Sequence, residues 1–179
     1  MKEAARYLGL RETDEKTAKE IEDAEKTLSA LFPVKTVACF DIENDKNGVK
    51  LVGTDVALCG NLAKKHFDGC KKIIVVLATL GLKSETLLKR AFAISALKGV
   101  VTDAVYTAKI EEYLDETEEE LIRQYGSITS RISCGYGDLP IETQKQLFRL
   151  ADGERIGVSV NDCFMLVPNK SVIALVGVK

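Results

Sequence analysis

The chain has 179 residues, 46% hydrophobic and 29% charged, the balance of a soluble globular protein rather than a disordered or fibrous one. That length can bury a sizeable core without metal or disulfide support and is read as one domain over 1–179. Basic residues number 25 and acidic residues 27, with no basic stripe, which argues against nucleic acid bound through its phosphates.

In chain order, residues 1–10 read as a short helix ending near Gly9. From Asp14 to Leu31 the apolar positions Ala18, Ile21, Ala24, Leu28 and Leu31 recur at three- and four-residue steps, an amphipathic helix stopped by Pro33. Val34–Ile42 has strand composition, and Asn44-Asp-Lys-Asn-Gly48 turns it into Val49–Val52 as a hairpin. Thr54 to Phe67 is read as a helix weakened by Gly60. Lys72–Leu80 is the most hydrophobic run and β-branched at its centre, a buried central strand.

Ser84 is expected to cap a helix that continues to about Tyr125, with a kink or break near Gly99. Its end carries seven acidic residues, at 111, 112, 115, 116, 118, 119 and 120, read as a solvated face. Pro140 suits the first turn of a helix to about Asp152. Arg155–Val160 and Cys163–Val167 read as strand or bulge, Pro168-Asn-Lys as a turn, and Ser171–Val178 as a final strand. Strands and helices do not alternate strictly, so the class is α+β rather than α/β.

Cysteines stand at 39, 59, 70, 134 and 163, with no C-x-x-C pair, as in a reducing compartment. The first residues open as a charged helix, no signal peptide is expected, and no apolar run is long enough for a membrane span; the expected location is the cytoplasm. The P-loop and the G-x-G-x-x-G turn are missing. His66 is the lone histidine and is expected to cap a helix C-terminus rather than bind metal. Asp103 is either a buried polar contact or an ordinary exposed residue.

Arg131-Ile-Ser-Cys-Gly-Tyr-Gly-Asp-Leu-Pro140 gathers a guanidinium, two glycines, a phenol and a carboxylate between helices. Fixed charge, an aromatic face and closely approachable backbone suit a small polar ligand, although a plain surface turn also reads this way. Cys134 inside it is either a reactive thiol or a small loop side chain.

Arg131-x-x-x-Gly135-Tyr136, followed by Pro140, stands at a set distance from Ile156-Gly157-Val-Ser-Val-Asn-Asp-Cys-Phe164-Met-Leu-Val-Pro168-Asn-Lys-Ser171-Val172. Together the two blocks resemble the C-terminal activation domain of cobalamin-dependent methionine synthase, with its R-x-x-x-G-Y signature and its strand, Phe, Pro and Ser-Val sequence. A weaker similarity reaches back to residue 70.

The resemblance implies an α+β fold, a bent antiparallel β-sheet with helices packed on it. It also implies that S-adenosylmethionine binds and remethylates cobalamin after an electron donor, of flavodoxin or ferredoxin type, reduces cob(II)alamin. The nucleophile is then cob(I)alamin on the partner, so no catalytic dyad is needed here. This chain would be a stand-alone reactivation protein for a methionine synthase or related corrinoid protein.

Carried over onto these positions, Arg131 would clamp the ligand carboxylate and Gly135 would admit close backbone approach. Tyr136 would face the sulfonium, worth about 0.5–2 kcal/mol. Glu111, or Glu112 if the alignment slips, would take the ammonium, and Cys134 lies within the same loop. Cys134 and Gly137 replace family prolines, which predicts a more mobile loop. The chain ends at Lys179, before the family's further ligand-contacting tyrosine, and an acidic ligand residue of the family's N-terminal part has no counterpart. These departures motivate an alternative: a non-catalytic accessory protein that docks on a corrinoid protein without binding S-adenosylmethionine.

Overall fold

The computed structural model describes residues 2–179. Two helices, α1 (Lys2–Tyr7) and α2 (Glu15–Leu28), precede a meander of β1 (Val34–Asp45), β2 (Gly48–Leu51) and β3 (Ala57–Cys59). A short α3 (Asn61–His66) leads into β4 (Lys72–Thr79), then α4 (Gly81–Ile94) and α5 (Ala96–Tyr125). After the connection 126–142 come α6 (Thr143–Leu150), a 3-10 turn (Gly153–Ile156), the ribbon β5 (Ser159–Val160) and β6 (Leu166–Val167), and β7 (Ser171–Val178).

The main sheet has the order β3-β2-β1-β4-β7, and every neighbouring pair is antiparallel. It is a curled antiparallel sheet with helices packed on it, the α+β class read from the sequence. Alternation sends Ile74, Val76 and Ala78 of β4 into one apolar layer, with Ile21, Val105, Tyr106 and Leu114 of α2 and α5. Ile73, Val75 and Leu77 point the other way, toward Phe67, Leu139, Leu147 and Phe148. Both faces of β4 are covered, which explains an apolar run without alternation.

The long helix α5 anchors the upper layer. Val101, Val105, Ile110, Leu114 and Leu121 are buried at four- to seven-residue steps. Ser95, not Gly99, separates it from α4: Ser95 is extended and its hydroxyl accepts from the Lys98 N–H. Gly99 lies inside α5, where the Phe92 ring occupies the place a Cβ would take.

Other expectations shift. The predicted helix over 54–67 is strand β3 followed by the shorter α3, because Val56 and Leu58 are buried and β3 pairs with β2. Gly60, at φ +124°, makes the turn between them. Ser84 is no cap: α4 begins at Gly81, and the buried Ser84 hydroxyl donates to the Gly81 carbonyl. The first helix is found at Lys2–Tyr7; Met1 lies outside the described residues. The helix after Pro140 begins at Thr143, and the strand expected from Arg155 is a 3-10 turn before β5. No helix among the described residues is long and apolar enough to cross a membrane.

Candidate functional site

The stretch 127–132 runs along the free edge of β7, with backbone pairing between Ile132 and Leu175. That pairing carries Arg131 beneath α5 and delivers the following turn to the end of the sheet. Buried Cys134 and Leu139 hold the turn from inside. From outside, the Asp138 carboxylate accepts the backbone N–H groups of Asn61 (2.7 Å) and Leu62 (2.9 Å) at the start of α3. These two bonds hold the Asp138 carboxyl below the usual carboxylate range. The loop expected to be mobile is thus tied at several points. Gly60 permits the approach, since a Cβ there would sit 2.7 Å from the Asp138 carbonyl and carboxylate oxygens.

A groove of about 550 Å³ opens between α5, this loop and the segment from Met165 to Ile173. Glu111, Arg131, Cys134 and Tyr136 all line it, together with Ile141, Gln144, Ser171 and Val172. Gly135 (φ +88°) shapes the turn, its N–H donating to the Leu139 carbonyl. The structure therefore brings Glu111 of α5, Arg131, Cys134 and Tyr136 of the first motif block, and Ser171 and Val172 of the second, to one groove, whereas Ile156, Gly157, Phe164 and Pro168 of the second block do not line it. Glu112 lies away from it, paired with Lys109 at 2.7 Å, so Glu111 is the acid of the groove. Tyr136 is 64% exposed and Met165 56%, and both stand at its mouth.

Arg131 is engaged more heavily than the sequence suggested. Its Nη1 lies 2.8 Å from Asp115 and 2.9 Å from Glu118, and its Nη2 lies 2.8 Å from Glu111. Burial works against its charge, but the bonds to Glu118, Glu111 and Asp115 outweigh this and raise its pKa. Three of the guanidinium's five N–H groups are used. The Nε–H and one Nη2–H donate to nothing among the described residues. One edge of the fork is fixed by acids, and the other makes no hydrogen bond among the described residues.

The three acids occupy positions i, i+4 and i+7 of α5, one stripe of the helix. From the sequence all seven acids of this region are expected on a solvated face; these three instead face Arg131. Their spacing is the signal that could have separated them. Of the rest, Glu120 pairs with Lys35 and Glu119 lies 3.9 Å from Arg123.

Burial pushes the Cys134 thiol up to about 12, so it is a neutral, packed side chain rather than a nucleophile. His66 ends α3, but its Nε2 meets the Ser130 carbonyl at 2.7 Å, joining α3 to the strand-edge segment before Arg131. Asp103 is half exposed and pairs with Lys170 at 2.8 Å. No group of His, Cys, Asp or Glu among the described residues is placed to hold a metal. A second depression of about 530 Å³ lies across the Arg131–Glu111 pair, between α1, α2 and α5, and lacks the aromatic, glycine-bearing loop.

No protein family and no curated protein matches the chain by sequence. Among solved structures, the crystal structure of the MetH reactivation domain bound to AdoHcy matches with a TM-score of 0.66 at 20% identity. The match covers 91% of this chain and 64% of that one, so this chain spans less than two thirds of its length. The two share a fold, the one that the motif blocks implied.

Proposed function

We propose that the groove binds S-adenosylmethionine and that the chain supports reductive methylation of cob(II)alamin in a cobalamin-dependent methionine synthase or related corrinoid protein. One observation supports this above the others: Glu111, the Arg131–Tyr136 turn and the Met165–Ile173 segment, far apart in sequence, line one groove. The reactivation domain of like fold is bound to AdoHcy, which carries the same amino-acid and adenosyl parts.

The residues present fit the ligand group by group. The free Nε edge of Arg131 can take the carboxylate while its other edge stays with the acids. Glu111 can take the ammonium without leaving the guanidinium, because a carboxylate has several acceptor sites. The exposed Tyr136 ring offers a face to the sulfonium. The volume lies within the usual range for small-molecule sites. S-adenosylmethionine would supply the methyl group; cobalamin would be carried by the partner protein, with reduction by a flavodoxin- or ferredoxin-type donor. The chain's own share is to orient the ligand and hold its charged end, a positioning role that requires no base or nucleophile.

Calorimetric titration tests this. Saturable binding is expected in the wild type, weakened by about 1.5–3 kcal/mol in Arg131→Ala, the value of a charge-assisted contact. Tyr136→Ala is a second variant whose exposed side chain is not needed for folding; it should also weaken binding. Binding that neither substitution changes would discard this groove. A second reading is favoured by the three acids already on Arg131: an accessory protein that docks on a corrinoid protein without the small molecule. No heat of binding at millimolar S-adenosylmethionine, together with retained binding to the corrinoid protein, would select it.

A further inference from the structure

Asp115 and Glu118 touch Arg131 but do not line the groove. With Glu111 they place three negative charges against one guanidinium, leaving two net negative charges beside the ligand's charged end. Nearby lysines do not cancel this surplus: Lys109 pairs with Glu112, Lys35 with Glu120 and Lys170 with Asp103. The groove's lining contains no charged residue besides Glu111 and Arg131.

From this we infer that Asp115 and Glu118 set the charge selectivity of the site, favouring a sulfonium ligand over its neutral thioether product. The inference rests on the binding reading above and deepens it. S-adenosylmethionine has a net charge of +1 and S-adenosylhomocysteine of zero; otherwise they differ by one methyl group. A ligand whose carboxylate sits on the Arg131 Nε edge places its sulfur a few bonds further on, and at low salt, where the Debye length reaches about 30 Å, all three acids act on it. Two surplus negative charges acting through partly solvated surroundings give a preference of about three- to tenfold. The consequence for turnover is direct: methyl donation removes the charge that the acids hold, so the product leaves more readily than the donor.

Because neither side chain lines the groove, Asp115→Asn and Glu118→Gln remove charge beside it while keeping side chains of nearly equal size against Arg131. Dissociation constants for the two ligands would be measured by equilibrium dialysis in wild type, both single variants and the double variant, at low and high salt. The expected result is a wild-type ratio of about three or more at low salt, falling stepwise in the single and double variants. The ratio should shrink at 1 M salt, where the Debye length is about 3 Å. Glu119→Gln, on the same helix but beside Arg123, is the control and should leave the ratio nearly unchanged. Both ligands binding with one affinity, or a ratio indifferent to Asp115 and Glu118, overturns the inference while the binding reading stands. Failure of both ligands to bind overturns both.

Discussion

Replacing Arg131 by methionine keeps much of the side chain's length and removes its charge. In the native protein the guanidinium serves Glu111, Asp115 and Glu118 at 2.8–2.9 Å. Asp115 is 66% exposed, so its contact counts as a surface pair worth about 0–1 kcal/mol. Glu118 and Glu111 are 25% and 34% exposed, and without Arg131 they are left half-sheltered on the same helix stripe as Asp115. The loss should fall below the 3–5 kcal/mol of a fully buried pair, at roughly 2–3 kcal/mol. At about 2–4 °C per kcal/mol for a chain of this size, the melting temperature drops by about 4–12 °C. Thermal melts followed by circular dichroism read this directly. If like-charge repulsion is the cause, adding Glu111→Gln, Asp115→Asn and Glu118→Gln to the methionine variant recovers part of the loss, and 1 M salt narrows the gap. A methionine variant that melts with the wild type at low salt, or a gap that widens with salt, refutes this account.

Gly60→Ala should lower stability by about 1–3 kcal/mol, since its φ of +124° disfavours any side chain and the new Cβ meets the Asp138 oxygens; melting curves check it. Asp138 gives a pH dependence of known sign. Its folded pKa lies below the unfolded value of about 3.9, so its contribution is present above that pH and is lost as pH falls through the folded value. Asp138→Asn should therefore give a shallower acid limb of stability than the wild type, measured by denaturant unfolding across the acid range. Thiol labelling of the native protein at mildly alkaline pH should be fast at the exposed Cys39, Cys59 and Cys163, while Cys134 reacts only after denaturation. Native-state labelling of Cys134 at the rate of the exposed thiols would contradict its placement.

The fold was legible where one force dominates. An apolar run covered on both faces named β4, a turn rich in Asn, Asp and Gly named the hairpin, and the stripe beginning at Ala18 named α2, although the helix ends at Leu28 and Leu31 lies beyond it. Sequence reasoning failed where tertiary pairing overrode local pattern. Val56 and Leu58 have helix-compatible neighbours, yet their burial and the pairing with β2 make β3 a strand. Ser84 has the chemistry of a cap but is buried one turn inside the helix.

The site was legible as residues and not as a network. Arg131, Gly135, Tyr136 and Glu111 stood out by type and spacing. That Arg131 answers to Asp115 and Glu118, residues 16 and 13 positions earlier, depends on the segment before Arg131 pairing with the edge of β7. No local pattern announces that crossing. The acids themselves carried a readable i, i+4, i+7 stripe, hidden among the four other acids of residues 111–120.

The central claim is that S-adenosylmethionine occupies the groove at the Arg131–Tyr136 turn. An NMR titration of labelled protein tests it most directly, because the Arg131 Nε–H and the amides of Gly135 and Tyr136 report at the atoms concerned. The account predicts saturable shifts at these groups and at Ser171 and Val172, with smaller ones around Ala4 and Leu28 in the other depression. Shifts confined to that other depression, or none at millimolar ligand, would contradict it.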